Sequence, residues 1–260
     1  MTAPIYQADA FTNSVFGGNP AAVVPLDHWP NDKVLQNIAT ENNLSETAFF
    51  LSKGDSYELR WFTPKVEVDL CGHATLATAH VLFEHLSYNK EVIYFNTVHH
   101  GFLRASRKGD LIALDFPATP ATPVQCPDAL SDALGTSSFE VFASRDLMAV
   151  FGSEEEIMGL KPDFNTLKTL PQLGLIVTAP GRNADFVSRF FAPNAGIDED
   201  PVTGSAHSTL IPYWSARLGK TRLFGRQLSA RGGELFCEHL GDRVEIAGRA
   251  KTYLKGEISW

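Results

Sequence analysis

The chain has 260 residues, 44% hydrophobic and 20% charged, a soluble globular composition with room for one large domain or two ordinary ones. Its 22 basic and 30 acidic residues leave a net charge of −8 with no basic block. That excludes a nucleic-acid or anionic-membrane surface as the main partner, since both need clustered Lys and Arg.

In chain order, "PIYQADAF" and "AAVVPL" read as strands, rich in β-branched and aromatic residues. "NDKVLQNIATENN" is a short helix, with Val34, Leu35, Ile38 and Ala39 on one face and Asn31 or Asp32 as cap. "ETAFFLS", "YELRWFT" and "EVIYFNT" are further strands, and "GHATLATAHVLFEHL" is a longer, largely apolar helix suited to the inside of a curved sheet. Pro117, Pro120, Pro123 and Pro127 then crowd one segment, and proline at that density forces extended, ladder-poor backbone. A domain connection is expected there. Strand patterns resume in "FEVFAS", "LMAVFG", "LGLIVTAP", "DFVSRFF", "RLFGRQL", "ELFCEHL" and "RVEIAG", with one helix, "GSAHSTLIPYWSARLG". Pro212 inside that helix is expected to kink it or force a 3₁₀ turn.

The N-terminal residues lack the basic start and apolar core of a signal peptide, and no apolar run approaches spanning length. Cys71, Cys126 and Cys237 are odd in number and form no CxxC pair. Free thiols in a reducing cytoplasm are expected.

The chain repeats itself. Phe62-Thr63-Pro64 matches Phe191-Ala192-Pro193, and Cys71-Gly72-His73-Ala74 matches Thr203-Gly204-Ser205-Ala206 after a three-residue insertion. In each half a strand runs through an acidic loop into a helix opened by glycine. Helix N-termini carry unpaired amide donors and partial positive charge, so they hold carboxylates without a lysine. If the halves pack by pseudo-symmetry, both termini face one cleft. The first loop offers Cys71 and His73. The second offers Asp198, Glu199, Asp200, Thr203, Ser205 and His207.

Glu46 stands apart. Counting eight residues back from Gly54 and from Gly181 sets it opposite Leu173, so it belongs to one half only. The helix dipole disfavours a Glu just after Asn42-Asn43, so capping does not explain it. Burial near a cleft would suit it to proton transfer.

"FTNSVFGGNPAAVV", "NLSETAFF", "FTPKVEVDLCGHATLATAHVL" and "DEDPVTGSAHSTLIPYW" together resemble the PhzF-like isomerase family of phenazine biosynthesis. The resemblance covers most of the chain. It implies an α+β, diaminopimelate epimerase-like fold of two pseudo-symmetric halves, each a curved mixed sheet around a central helix. The halves would span residues 1–117 with a C-terminal strand near 252–260, and residues 118–251. It further implies Glu46 as the proton-shuttling acid/base, assisted by His73, Asp200 and Ser205. Asn19 resembles a substrate-contacting position, and Ser45, Gly72, Thr203 and Gly204 complete the expected substrate contacts. The family is cofactor-free and commonly dimeric, so no cofactor and a homodimer are expected, with a small carboxylate-bearing substrate.

Related racemases set a cysteine on each glycine-led loop; here Cys71 stands at the first position but Thr203 at the second. A threonine hydroxyl is far too weak an acid or base to replace a thiolate. An epimerase using Cys71 and Glu46 as unlike bases is the first alternative, and a non-catalytic ligand-binding protein on the same fold is the second. His73, His80 and His85 lie near one stretch of helix, but no carboxylate or cysteine set accompanies them in sequence, so no metal is expected. His99-His100 reads as a polar turn. "FGGNP" lacks the glycines and lysine of nucleotide loops, and "GSAH" is not a nucleophile elbow.

Overall fold

The computed structural model describes residues 1–99 and 101–260, so His100, half of the expected polar turn, lies outside the described residues. The chain forms two compact units, Met1–Phe116 with Glu245–Trp260, and Pro117–Val244. Strands and helices mix in each, an α+β architecture.

Unit 1 begins with β1 (Thr2–Ala10) and β2 (Asn19–Leu26), paired antiparallel, Ala10 opposite Asn19. Helix α1 (Asp32–Asn42) starts at Asn31, whose side chain accepts from the Val34 amide, and ends at Asn43 in the left-handed region. Its buried Leu35, Ile38 and Ala39 meet Val24, Phe49 and Phe62 of neighbouring strands. Parallel pairing of β2 with β3 (Glu46–Lys53) sets Ala21 beside Glu46. An antiparallel pair, β4 (Ser56–Phe62) with the short β5 (Glu67–Val68), leads into α2 (Gly72–His85). Helix α2 is buried along most of its length, from His73 to Phe83, and packs on β1, β2, β3 and the C-terminal strand. A helix apolar all round belongs inside, and here it does. Two strands that the residue pattern did not announce, β6's partner β7 (Gly101–Lys108) and β8 (Leu111–Pro117), follow β6 (Val92–Thr97) as a meander. Alternating polar residues in "GFLRASRK" obscured β7.

Unit 2 opens with the proline-rich segment. Its β9 (Thr122–Pro123) pairs with β10 (Glu140–Ala143), after helix α3 (Asp128–Leu134). Then come β11 (Leu147–Val150), two short helices, α4 (Glu154–Gly159) and α5 (Phe164–Leu167), and β12 (Leu175–Pro180), parallel to β11. Next, β13 (Phe186–Ala192) pairs with β14 (Ile197–Asp200) and α6 (Gly204–Leu218) follows. Strands β15 (Arg222–Gln227) and β16 (Gly233–His239) pack on α6, and β17 (Arg243–Gly248) returns the chain to unit 1. There β18 (Ala250–Ser259) pairs with β1. The unit 2 core gathers Leu130, Leu147, Ile157, Leu175, Val187 and Phe191.

The repeat seen in the residues is present in the local structure: strand, short antiparallel strand, then a glycine-led helix. The N-caps Cys71 and Thr203 are both extended and neither side chain caps its helix. One turn in, Thr75 Oγ1 donates to the Cys71 carbonyl at 2.6 Å, and His207 Nδ1 donates to the Thr203 carbonyl at 2.8 Å.

Helix α6 runs through Pro212 without a 3₁₀ break. Proline removes the amide that would have bonded the carbonyl four residues earlier. That carbonyl, of Ser208, instead accepts from the Thr119 amide at 2.9 Å, and Thr119 and Thr209 share a hydroxyl hydrogen bond at 2.9 Å. The proline-rich segment thus supplies the missing donor. Among the described residues no helix is long and apolar enough to cross a membrane, and the three cysteines are free.

Candidate active site

In unit 1, four expected residues converge. Glu46 opens β3, Asn19 opens β2, and Cys71 and His73 begin α2. The parallel β2–β3 pairing brings the two strand starts to one end of the sheet, where α2 also begins. His73 Nε2 lies 3.1 Å from Glu46 Oε2. The opposite ring nitrogen, Nδ1, lies 3.3 Å from Asn19 Nδ2 and 3.4 Å from Cys71 Sγ. Asn19 is fully buried, so its amide meets the His73 ring and not solvent. Ser45 and Gly72 sit half-buried at the edge of this group.

The geometry between Glu46 and His73 is close but not aligned for a hydrogen bond, and among the described residues neither facing atom has another hydrogen-bond partner. Such buried polar atoms cost free energy unless something meets them. A pair of them side by side is a place prepared for a polar ligand atom.

Burial penalises a charge on His73, but the neighbouring Cys71 and Glu46 outweigh it and lift its pKa well above 6.5. Burial, reinforced by the Glu46 charge, pushes the Cys71 thiol up to about 11. Cys71 is therefore a thiol, not a thiolate, across the neutral range.

Contrary to the expectation that no carboxylate or cysteine accompanies the histidines, Glu46, Cys71 and His73 bring donor atoms within 4.8 Å of one another. The sequence spacing hid this because the carboxylate arrives on a different strand. Yet the sulfur and the carboxylate address opposite nitrogens of one imidazole, which is the layout of a relay, not of a shared coordination point. His80 and His85 are elsewhere: both Nε2 atoms meet the Thr252 hydroxyl, at 2.8 and 2.7 Å. His99 reaches the exposed Asp69 at 3.3 Å.

Unit 2 brings Asp200, Thr203, Gly204 and Ser205 together where β14 meets α6. Thr203 Oγ1 donates to Asp200 Oδ2 in a short hydrogen bond. Ser205 Oγ accepts from Arg145 Nη2 at 2.9 Å, and the same guanidinium holds the buried Asp146. Glu199 turns away and forms a two-point pair with Arg189. Two residues were missed in the sequence reading: Arg145 and Gln227. Both come from segments remote in sequence, Arg145 from the β10–β11 turn and Gln227 from the end of β15, and no local motif marks either.

His207 is fully buried beside Phe186, and burial holds its pKa at about 4. A histidine with a depressed folded pKa binds fewer protons folded than unfolded between about pH 4 and 6.5. Its stability contribution is therefore present above pH 6.5 and lost as pH falls through that window, by up to ~3 kcal/mol. Denaturant midpoints between pH 7 and 4.5 are expected to fall less steeply in His207→Gln than in wild type. Parallel slopes would show that another group governs the acid limb.

The sequence matches the family described as phenazine biosynthesis-like protein over residues 8–256. This chain belongs to that PhzC–PhzF family. An uncharacterized isomerase of Pseudomonas aeruginosa is 53% identical over 99% of both chains, and a phenazine biosynthesis-like domain-containing protein of Homo sapiens is 40% identical over the full length of both. The crystal structure of a PhzF-family phenazine biosynthesis protein from Enterococcus faecalis superposes with a TM-score of 0.97 at 49% identity, covering all of both chains. A hydroxyproline epimerase from Agrobacterium vitis, at a TM-score of 0.68 and 10% identity over 99% of this chain and 92% of its own, shares the fold. The PhzF assignment made from four motifs is thus upheld across the chain, as is the epimerase-like α+β fold.

Proposed function

We propose that this PhzF-family chain is a cofactor-independent isomerase in which Glu46 moves a proton between carbons of a small carboxylate-bearing substrate. The observation that carries the reading is the Glu46–His73 pair, 3.1 Å apart, partly shielded, with facing atoms that lack other hydrogen-bond partners among the described residues. Relatives of this length and similarity that bear the name isomerase support the reaction class.

In the first step the Glu46 carboxylate takes a proton from a substrate carbon, and the electron pair left behind delocalises into the adjacent unsaturated or carboxylate group. The resulting carboxylic acid, whose O–H proton exchanges with water, then protonates a different carbon, so no external acid, base or oxidant is consumed. His73, favoured in its charged form, stabilises the Glu46 carboxylate between turnovers. Amides of the first turn of α2, uncapped by any side chain, suit the substrate carboxylate. By the family resemblance, Asp200 and Ser205 of unit 2 are read as the assisting residues.

The rival epimerase reading requires Cys71 to act as a base. Burial pushes the Cys71 thiol up to about 11, which opposes that role.

The test is deuterium uptake in D₂O by proton NMR across a panel of small unsaturated and amino carboxylates. Uptake with movement of the double bond supports the isomerase. Uptake only at an amino-acid α-carbon, abolished in Cys71→Ala, would replace it with the epimerase. Arg145, which reaches Ser205 at the start of α6, is expected to bind the substrate anion. Arg145→Met should raise KM about ten-fold or more, the worth of one charge-assisted hydrogen bond, with kcat little changed. An unaltered KM would remove Arg145 from the site.

A further inference from the structure

The segment from Asp200 to Gly204 carries three expected site residues, and one side chain holds it. Gln227, at the end of β15, is 1% exposed. Its Oε1 accepts from the Thr203 amide at 2.9 Å. Its Nε2 donates to the Asp200 carbonyl at 2.9 Å and to Thr203 Oγ1 at 3.1 Å. The two backbone groups settle the orientation of this amide: an N–H needs the oxygen end and a carbonyl needs the nitrogen end.

That orientation has a chemical result at Thr203. A hydroxyl has one proton to give and lone pairs to receive. Gln227 Nε2 can only donate, so it occupies a lone pair of Thr203 Oγ1. The Thr203 proton is then left for the Asp200 carboxylate, where the short Thr203–Asp200 hydrogen bond lies. The chain of donors runs one way, from Gln227 through Thr203 to Asp200. Packing reinforces it: across the hairpin from Gln227, Gly233 leaves room for Val202, whose Cγ2 would stand 2.3 Å from any added Cβ.

We propose that Gln227 is a positioning residue that orders the Thr203 hydroxyl toward Asp200 and so presents Asp200 as a fixed, hydrogen-bonded carboxylate. Thr203, at the position where two-thiol racemases carry their second cysteine, is thereby locked as a neutral relay and takes no proton from substrate. The proposal rests on Asp200 belonging to the site named above.

Two variants separate the halves of the amide. Gln227→Glu keeps an acceptor for the Thr203 amide but loses both donors; Gln227→Leu loses all three bonds. Carbon-13 NMR titration of Asp200 is expected to show an upward shift of about one pH unit in Gln227→Glu, with Thr203 amide exchange still protected. In Gln227→Leu, Thr203 exchange should accelerate ten-fold or more and the Asp200 titration should also rise. A purely structural role would not separate the two readouts in this way. Unchanged Asp200 titration in both variants overturns the proposal. Shifted titration with deuterium uptake by substrate unaffected leaves the relay standing and removes Asp200 from the reaction.

Discussion

Glu46→Gln is expected to lower the rate of carbon-proton exchange by about 10²–10⁴-fold, the usual contribution of a positioned acid/base. The amide fills the same volume, so folding and substrate binding should persist while proton transfer stops. The variant also carries a signature that needs no substrate. In wild type, burial works against a charged His73, and Cys71 and Glu46 reverse that effect. With the carboxylate gone, burial regains weight and the His73 titration, followed by imidazole NMR, should move down toward or below 6.5. The sign for stability follows from linkage. A raised folded pKa contributes stability fully present below 6.5 and lost as pH rises through the elevated value. Wild type should therefore lose stability on the alkaline side, and Glu46→Gln should show less of that loss. A normal exchange rate in Glu46→Gln would end the assignment of Glu46 as the acid/base. An unmoved His73 titration would show that the carboxylate does not govern the ring.

Much of the candidate site was readable because its members sit on short motifs. "SET", "GH" and "DPVTGSAH" place Glu46, His73 and Ser205 at the starts of β3, α2 and α6 and Asp200 at the end of β14, where side chains gather at one end of a sheet or helix. The structure brings Glu46 and His73 into contact and sets Asp200 against Thr203. What the residues did not disclose is long-range register. The meeting of Asn19 and Glu46 at His73 depends on β2 and β3 lying parallel, with Ala21 beside Glu46. Gln227 and Arg145 arrive from segments 24 and 60 residues away from their partners. Pairings of that kind follow from tertiary packing, and periodicity along one strand carries no trace of them. The same limit hid the fate of Pro212: a proline predicts a lost hydrogen bond, but only the fold shows Thr119 filling the gap. Strand β7 was obscured in a different way, by Arg104, Arg107 and Lys108, which face solvent beside its buried positions.

Gly18→Ala is expected to cost about 3 kcal/mol or more of stability and to dislodge the His73 pair. Gly18 has φ of +61°, where an L residue costs ~1–2 kcal/mol. A second penalty is steric: an added Cβ would stand 2.0 Å from the Ala10 carbonyl oxygen and 2.9 Å from Thr12 Cγ2. Backbone cannot step aside as a flexible side chain can, and overpacking of this kind adds ~1–3 kcal/mol. Gly54 provides the control. It shares the same conformation, φ of +62°, but an added Cβ there meets nothing within 4 Å. Gly54→Ala should therefore show the backbone cost alone, and the difference in denaturant midpoint between the two variants isolates the clash. The functional consequence runs through register. Ala10 is the partner of Asn19 in the β1–β2 ladder, so relief of the clash must shift the start of β2. Asn19 is the residue whose amide lies against His73 Nδ1. Gly18→Ala should thus perturb the His73 titration even where the protein remains folded, whereas Gly54→Ala should leave it as in wild type. Equal stability of the two alanine variants would mean that the β1–β2 connection yields without moving the strand, and that Asn19 is not held by it.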